Sequence, residues 1–344
     1  MESRILIMRF SAMGDVAMTL PVIYSLAACY PQSQITVLTR KAFVPLFVHP
    51  PQNLNVKGVD LALYKGIVGI NKLYDELKLG AFTHVADLHG VIRTSVLSVR
   101  FALAGVKVAT IDKGRLQKMQ LTKKRNKVLK PLKSSFERYR QVFSDLGFDV
   151  KLDFTSVFEG DETLNLPKAL GGLKKSEASK WIGIAPFAKH QGKVYPLTEI
   201  EKLIEYYTNK KNCTLFIFGG QQDTIQVSKW THQYPQAVSM IGVGTLEDEM
   251  NVMAQLDVIF TMDSANMHIA SLAGTRVVSF WGATHHYAGF LGWNQKHDDI
   301  IAADIACRPC SVFGDVKCYR GDYKCLHEIK SESIIQKMDK LIFG

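Results

Sequence analysis

Residues 258–284 read VIFTMDSANMHIASLAGTRVVSFWGAT, and this stretch decides the fold. It consists of an apolar strand, the polar pair Asp263-Ser264, a short helix and a second apolar strand that stops before Thr284. Strand, helix and strand within so short a span predict a βαβ unit with parallel strands. Ligands of such sheets bind at the carboxyl ends of the strands, where helix N-termini present free N–H groups. We therefore expect Asp263, Ser264 and Thr284 to meet a phosphate-bearing ligand, with Asp263 or Ser264 capping the helix.

Strand and helix patterns alternate over the rest of the chain as well, which predicts an α/β protein with doubly wound parallel sheets. The length of 344 residues is more than twice the ~150 typical of one domain, so we expect two domains. The predicted boundaries are 1–165 for the N-terminal domain and 175–330 for the C-terminal domain. A terminal helix over 331–344 is expected to pack back on the N-terminal domain. The segment 61–79 mixes strand and helix signals and receives no assignment.

Positive charge is concentrated in residues 107–133, a predicted basic loop of the N-terminal domain. The loop contains ten Lys or Arg and one acid, Asp112, and so carries nine of the ten net positive charges of the chain. A solvated charge run is one interpretation; the other is a binding role towards acceptor phosphates, an anionic membrane surface or nucleic acid. Nucleic acid is disfavoured, because the loop has no interleaved aromatic residues.

Composition indicates where the protein works. The longest apolar runs are strand-sized, so no transmembrane span is expected. The apolar run at the N-terminus is too short for a signal peptide and is interrupted by Arg9. We therefore expect a cytoplasmic protein whose six cysteines stay reduced.

Four motifs in order along the chain carry a resemblance to a known family. They are RFSAMGDV at 9–16 followed by Pro21, KVYP at 193–196, Gly219-Gly220, and DSANMH at 263–268. Together they resemble the heptosyltransferases, family 9 of the glycosyltransferases. The resemblance implies a GT-B architecture, in which two Rossmann-like domains face a cleft. It also implies an N-terminal domain for the acceptor and a C-terminal domain for the donor.

The reaction implied by the resemblance is transfer of a heptose or related sugar from a nucleotide diphosphate donor, ADP-heptose, to the inner core of lipopolysaccharide. The enzyme would work at the inner face of the cytoplasmic membrane, in peripheral contact with it. Asp15 matches the general base of the family, and an Asp carboxylate, ionised at pH 7, can accept the proton of the attacking hydroxyl. A single displacement would invert the anomeric centre. Lys193 matches the family's lysine that neutralises the departing diphosphate. Without the surrounding motif, the same residue would be interpreted as an ordinary surface lysine.

Further site residues follow from the same resemblance. Asp263, Ser264 and His268 match the donor-phosphate loop, although His268 equally fits a structural role. Two positions depart from the family pattern. Ala265 stands where Gly is common, and Lys189, close to Lys193, stands where hydroxyl residues are found in some members. The expected acceptor-binding residues are Ser11, Arg93, Lys123, Lys124 and Arg125.

A cysteine cluster at 307–325 is the last feature. Cys307, Cys310, Cys318 and Cys325 have a spacing that resembles a tetrathiolate zinc site. The alternative is a set of thiols packed in a loop. No metal motif of the Asp-x-Asp type is present, so catalysis is expected to need no cofactor, and a structural zinc is the one metal considered.

Two other classes of function remain open on the sequence. One is another GT-B enzyme acting on a nucleotide sugar, such as an epimerase, which would need no basic acceptor loop. The other is a protein that binds nucleotide sugars without catalysis. The presence of Asp15 together with Lys193 argues against the second, because binding alone needs no base.

Overall fold

The computed structural model describes residues 2–160 and 164–344, which fold as two compact units. The first unit comprises Met1–Gly114 and Lys133–Val157, and the second comprises Arg115–Leu132 and Phe158–Gly344. Within the described residues, no helix combines the length and the apolar character needed to cross a bilayer.

A five-stranded parallel sheet forms the centre of the first unit. Its strands are β1 (Arg4–Met8), β2 (Gln34–Arg40), β3 (Leu54–Val59), β4 (His84–Asp87) and β5 (Lys107–Thr110). The helices of this half of the chain are α1 (Met13–Ala17), α2 (Leu20–Cys29), α3 (Gly66–Leu77), α4 (Ile92–Leu103), α5 (Arg115–Leu121) and α6 (Ser135–Asp145). The strand order is β3-β2-β1-β4-β5, so the direction of winding reverses between β1 and β4. A ligand site is expected beside that reversal.

The second unit has a six-stranded parallel sheet. Its strands are β6 (Lys180–Ala185), β7 (Cys213–Ile217), β8 (Ala237–Ser239), β9 (Val258–Met262), β10 (Val277–Phe280) and β11 (Ile300–Ile301). Its helices are α7 (Leu197–Asn209), α8 (Thr224–Gln233), α9 (Leu246–Ala254), α10 (Ala265–Leu272), α11 (Lys324–His327) and α12 (Ser331–Phe343). The order β11-β10-β9-β6-β7-β8 reverses between β6 and β9.

The βαβ unit predicted over 258–284 is present as β9, α10 and β10. The two strands pair in parallel, with Val277 opposite Ile259 and Phe280 opposite Met262. All five residues of β9 are buried, because the strand lies inside the sheet between β6 and β10. Apolar residues fill β9 without alternation, as expected for a parallel strand that is covered on both faces.

The structure defines three segments that the sequence analysis left without an assignment or placed differently. The apolar stretch after Asp15 is two helices, α1 and α2, and Pro21 lies in the first turn of α2, where its missing N–H costs least. The unassigned segment 61–79 contains α3 and short 3₁₀ turns. Part of the basic loop, 115–132, contains the unforeseen α5 and belongs to the second unit, since its hydrogen-bond partners lie after residue 280.

The terminal helix α12 also belongs to the second unit, where it packs on α7. Asp339 on α12 accepts hydrogen bonds from the hydroxyl groups of Tyr206 and Tyr207 and from the Lys210 ammonium. Ile334, Met338 and Ile342 join the core of this unit, which gives the helix one buried apolar face. The buried face and the bonds of Asp339 fix the helix on α7 within the second unit.

Candidate active site

Asp15 lies in α1, directly after the carboxyl end of the central strand β1. One oxygen of its carboxylate, Oδ2, is 2.9 Å from Nη2 of Arg9 and accepts a hydrogen bond of 3.1 Å from the backbone N–H of Ala12. The Tyr139 hydroxyl donates to the backbone carbonyl of Asp15 at 3.4 Å. The side chain of Asp15 is 30% exposed, whereas that of Arg9 is 8% exposed. The carboxylate is therefore held by a buried guanidinium and still reaches solvent.

His89 lies beside this group, at the end of the neighbouring strand β4. Its Nε2 is 3.3 Å from the Ser11 hydroxyl, in the loop that leads to Asp15. Asp87 holds the turn, because its Oδ1 accepts the backbone N–H groups of His89 and Gly90. Burial, aided by the charges of Arg9, Lys113 and Arg93, lowers the pKa of His89 to about 4. The imidazole is therefore neutral at pH 7.

The structure brings some of the predicted acceptor residues together and assigns the others to the second unit. Ser11 contacts His89, and the charge of Arg93 on α4 lowers the pKa of His89, so both lie near that imidazole. Lys123, Lys124 and Arg125 are exposed in the segment after α5, which belongs to the second unit. Arg9 and His89 were not predicted as site residues; the signal that could have found them is their position next to strand ends on both sides of the winding reversal.

An ion pair between Lys193 and Asp263 lies in the second unit. The Lys193 ammonium is 2.9 Å from Asp263 Oδ2, with the two side chains 14% and 4% exposed. Asp263 follows β9, and its backbone N–H bonds to the carbonyl of Phe280 on β10. From the sequence, Asp263 was considered as a helix cap, and here the partner of its carboxylate is instead the lysine. The ion pair fixes the lysine at the carboxyl edge of the sheet.

Close packing of the backbone positions Lys193. The carbonyl of Gly192 accepts the N–H of Ala283 at 2.7 Å, in the loop after β10. The stem of Lys193 passes Gly314, whose φ is +76°; a Cβ there would lie 2.7 Å from the lysine Cγ. Gly314 is thus required both by its backbone conformation and by the close approach of this side chain.

The remaining predicted donor residues surround the start of α10 or lie on the loops next to it. Ser264 is the N-cap residue, but neither it nor Asp263 forms a side-chain cap; the Ser264 hydroxyl lies 3.5 Å from that of Thr261. Ala265 begins the helix, and His268 is buried on it. Lys189 is exposed in the loop after β6. The first N–H groups of α10 therefore have no side-chain cap, which suits an anion.

The loop after β10 is held by Arg308, a residue that the sequence analysis missed. Its guanidinium is buried and donates to the backbone carbonyls of Gly282, Ala303 and Thr284. Thr284 is 1% exposed, and its hydroxyl has no hydrogen-bond partner in the described part of the chain. A buried hydroxyl without a partner is costly, so this position is suited to a polar ligand.

The four late cysteines do not fit the zinc site expected from their spacing. Across residues 2–160 and 164–344, no three or more His, Cys, Asp or Glu side chains are arranged to hold a metal ion. Cys325 is buried in the core of the second unit, where burial raises the pKa of its thiol to about 11. Cys310 instead lies against the carbonyl of Ala283. The described residues therefore give the expected zinc site no support.

Comparison with known proteins agrees with this fold. Lipopolysaccharide heptosyltransferase 3 of Escherichia coli K12 is 23% identical over 299 residues, which are 84% of each chain. Lipooligosaccharide heptosyltransferase 2 of Campylobacter jejuni is 28% identical over 89 residues; the match covers 26% of this chain and only 27% of that protein. The solved structure of E. coli heptosyltransferase WaaC with ADP has a TM-score of 0.69 and 16% identity, covering 98% of this chain and 99% of WaaC.

The two doubly wound parallel sheets form the GT-B fold, as in the heptosyltransferases of solved structure. The model of glycosyltransferase family 9 (heptosyltransferase) matches residues 70–319, and the chain belongs to that family. It is therefore an enzyme that transfers glycosyl groups, and the resemblance found in its motifs is confirmed.

The ion pair between Lys193 and Asp263 can be tested by a double-mutant cycle on stability. Asp263→Asn leaves a buried ammonium without a counter-charge, which should lower the free energy of unfolding by about 3–5 kcal/mol. Lys193→Met in the same background should restore part of the loss, giving a clear coupling energy in urea unfolding. The exposed pair Lys78–Asp75 serves as the control and should couple by less than about 1 kcal/mol. Additive effects at Lys193 and Asp263 would contradict the pairing.

His285 and His286 follow Thr284 and provide a pH-dependent test of the same loop. Their rings stack at a centroid distance of 4.4 Å. Burial is the main cause that lowers the pKa of His285 to about 3 and of His286 to about 4. An unfolded imidazole takes up its proton near pH 6.5, so between pH ~6.5 and ~4 the unfolded state binds more protons. Stability is lost as the pH falls through this window.

We expect His285→Asn with His286→Asn to reduce the fall of the unfolding temperature between pH 7 and about 4.5. Asn at 285 can still accept the Tyr287 N–H that the His285 ring accepts in the protein. His232→Asn, at an exposed position, is the matched control and should leave the pH dependence as it is. An unchanged slope in the double variant would show that these rings are protonated in the folded protein.

Proposed function

We propose that this enzyme transfers a heptose or related sugar from a nucleotide diphosphate donor, ADP-heptose, to the inner core of lipopolysaccharide. Membership of the heptosyltransferase family supports the reaction class. The donor is inferred from the solved structure of WaaC, which contains ADP, and the acceptor from the name of lipopolysaccharide heptosyltransferase 3. In this proposal the acceptor binds beside Asp15, and the diphosphate of the donor binds beside Lys193 and Asp263.

Asp15 is the observation that carries the proposal. Its carboxylate is oriented through one oxygen by Arg9 and the N–H of Ala12, and it keeps 30% exposure. We assign it the role of general base: it accepts the proton as an acceptor hydroxyl attacks the anomeric carbon. The carbon–oxygen bond to the diphosphate breaks on the opposite face, so the configuration inverts. Ser11 and Arg93 would orient the acceptor beside it.

Lys193 has the matching role at the donor. In this proposal the diphosphate takes the place of Asp263 as the partner of the ammonium, or shares it, and negative charge grows on the leaving group as the bond breaks. A preformed positive charge stabilises that change without reorganisation. Ser264, the uncapped N–H groups at Ala265 and the hydroxyl of Thr284 would hold the phosphates, and Lys189 and His268 would complete the donor site. No cofactor is needed for this chemistry.

The general base can be tested by Asp15→Asn. The amide cannot accept the proton, so turnover should fall by about 10²-fold or more, while the affinity for ADP, measured by calorimetry, stays the same. Asp298→Asn, at an exposed position after β10, controls for the loss of one carboxylate. NMR of the product formed by the wild type should show the inverted anomer. Turnover close to that of the wild type in Asp15→Asn would remove this residue from the mechanism.

The proposed acceptor is linked to a lipid, so we also propose peripheral contact with the anionic inner face of the cytoplasmic membrane through the basic segment. Each Lys or Arg near such a surface contributes about 1 kcal/mol, screened over a Debye length of about 8 Å at physiological salt. Lys123, Lys124 and Arg125 are all exposed and available for this.

Charge reversal of Lys123, Lys124 and Arg125 to Glu should raise the KM for the lipid-linked acceptor by about tenfold or more and leave the Kd for ADP unchanged. Added salt should have the same effect on the wild type. The matched control reverses three exposed lysines elsewhere on the second unit, Lys168, Lys211 and Lys229. If both triple variants behave like the wild type, the segment is a solvated charge run.

A further inference from the structure

A surface of the second unit combines exposed apolar side chains with basic ones. It is formed by α5, the segment that follows it to residue 132, and the loop 313–319; we call it the basic–apolar surface. The Lys127 ammonium donates to the carbonyls of Cys307 and Pro309, both at 2.8 Å. The N–H of Leu132 bonds to the carbonyl of Tyr287 at 2.9 Å. These bonds attach the basic segment to the second half of the chain.

Aromatic contacts join the two parts further. The Lys118 ammonium lies 4.2 Å from the ring centroid of Phe290, and Phe290 in turn lies 6.0 Å from Phe313. The Lys124 ammonium lies 4.9 Å from the ring of Tyr319. Cation–π contacts of this kind keep the ammonium groups beside aromatic faces. The basic segment and the loop 313–319 therefore form one continuous surface.

Large apolar side chains on this surface face solvent. On α5, Leu116 and Met119 are 71% and 55% exposed, whereas Leu121 is fully buried. Leu116 and Met119 are three residues apart and so lie on one face of the helix. The other exposed apolar residues of the surface are Val128, Leu129, Phe313, Val316 and Tyr319. Neighbouring exposed apolar groups on a folded protein mark an interaction site.

The charge of the surface indicates the kind of partner. Residues 115–132 contain seven Lys or Arg and no Asp or Glu. In the loop 313–319 the one acid, Asp315, accepts a hydrogen bond of 2.7 Å from the Ser311 hydroxyl. Such a surface is complementary to a polyanion. Basic residues with apolar ones between them are typical of proteins that lie in the headgroup region of a membrane, where Lys and Arg extend towards phosphates.

We propose that the basic–apolar surface docks on an anionic lipid bilayer and that its apolar side chains enter the boundary between headgroups and acyl chains. The inference rests on the proposed function in one respect, that the acceptor is linked to a lipid. It adds to the electrostatic contact an apolar one, made by the unit that carries Lys193 and Asp263. The cysteine-containing loop 313–319 thereby forms part of the membrane-binding surface.

Salt separates the apolar contact from the electrostatic one. Sedimentation with vesicles of phosphatidylethanolamine and phosphatidylglycerol is measured at low salt and at about 0.5 M NaCl, where the Debye length is only a few Å. The wild type should keep part of its binding at high salt. The variant Leu116→Ser, Met119→Ser, Phe313→Ser, Val316→Ser should lose that part, with a fall in partition of about tenfold or more. The control Val99→Ser, Leu103→Ser removes exposed apolar side chains from α4 of the first unit and should bind like the wild type.

A second variant tests insertion directly and does not depend on the stability of the quadruple variant. Phe313→Trp places an indole on the surface, and brominated lipids should quench its fluorescence beyond the quenching seen in the wild type. The proposal is overturned if the quadruple variant binds like the wild type, if the new tryptophan is not quenched, or if the wild type binds no vesicles. In the last case an acidic protein or nucleic acid would be the partner of this surface.

The outcome can be told apart from failure of the proposed function. Transfer to a delipidated acceptor saccharide needs no membrane, so the quadruple variant should retain it at the rate of the wild type, and transfer to acceptor in vesicles should fall by about tenfold. Absence of transfer to both acceptors in the wild type would refute the proposed function and leave the vesicle measurement to decide the membrane contact.

Discussion

Parallel pairing of strands is the constraint on which the organisation of this protein depends. Every strand of a parallel sheet ends at the same edge, so the residues that follow the strands are collected there whatever their separation in sequence. In the first unit this collects Asp15 after β1 and His89 after β4, on the two sides of the winding reversal. In the second unit it collects Lys193 after β6 and Asp263 after β9. The positions of Asp15 and of the pair Lys193–Asp263 both follow from this geometry.

The two groups also share a physical solution to burial. A charge that is removed from water needs a partner of opposite sign or a set of hydrogen bonds. Arg9 is 8% exposed and pairs with Asp15 and with the carbonyl of Leu88. Asp263 is 4% exposed and forms an ion pair with Lys193. The more exposed members of the two pairs, Asp15 and Lys193, are those to which we assign a catalytic role. In each pair the buried partner therefore positions a side chain that can still reach a substrate.

The basic segment shows how tertiary structure changes the meaning of a sequence feature. In the sequence, residues 107–133 are one charged loop of the N-terminal half. In the structure, 115–132 belong to the second unit, and part of the charge is used internally, because Lys127 binds two carbonyls and the half-buried Lys118 lies over the ring of Phe290. The lysines that remain exposed stand beside apolar side chains, some of which come from a loop almost two hundred residues further on. Their proximity follows from the fold.

Local pattern determined the larger part of the fold: the α/β class, the βαβ unit at 258–284 and the motifs that identify the family, because strand and helix periods and the Gly-Asp and Asp-Ser junctions are properties of short segments. Asp15, Lys193 and Asp263 were predicted as site residues from the same motifs. Only the tertiary structure decided their partners. Arg9 and His89 were missed as site residues, the partner of Asp263 was not foreseen, and residues 115–132 of the basic loop belong to the second unit. Each of these depends on which distant segments pack together, and packing of that kind leaves no periodic signal in the chain.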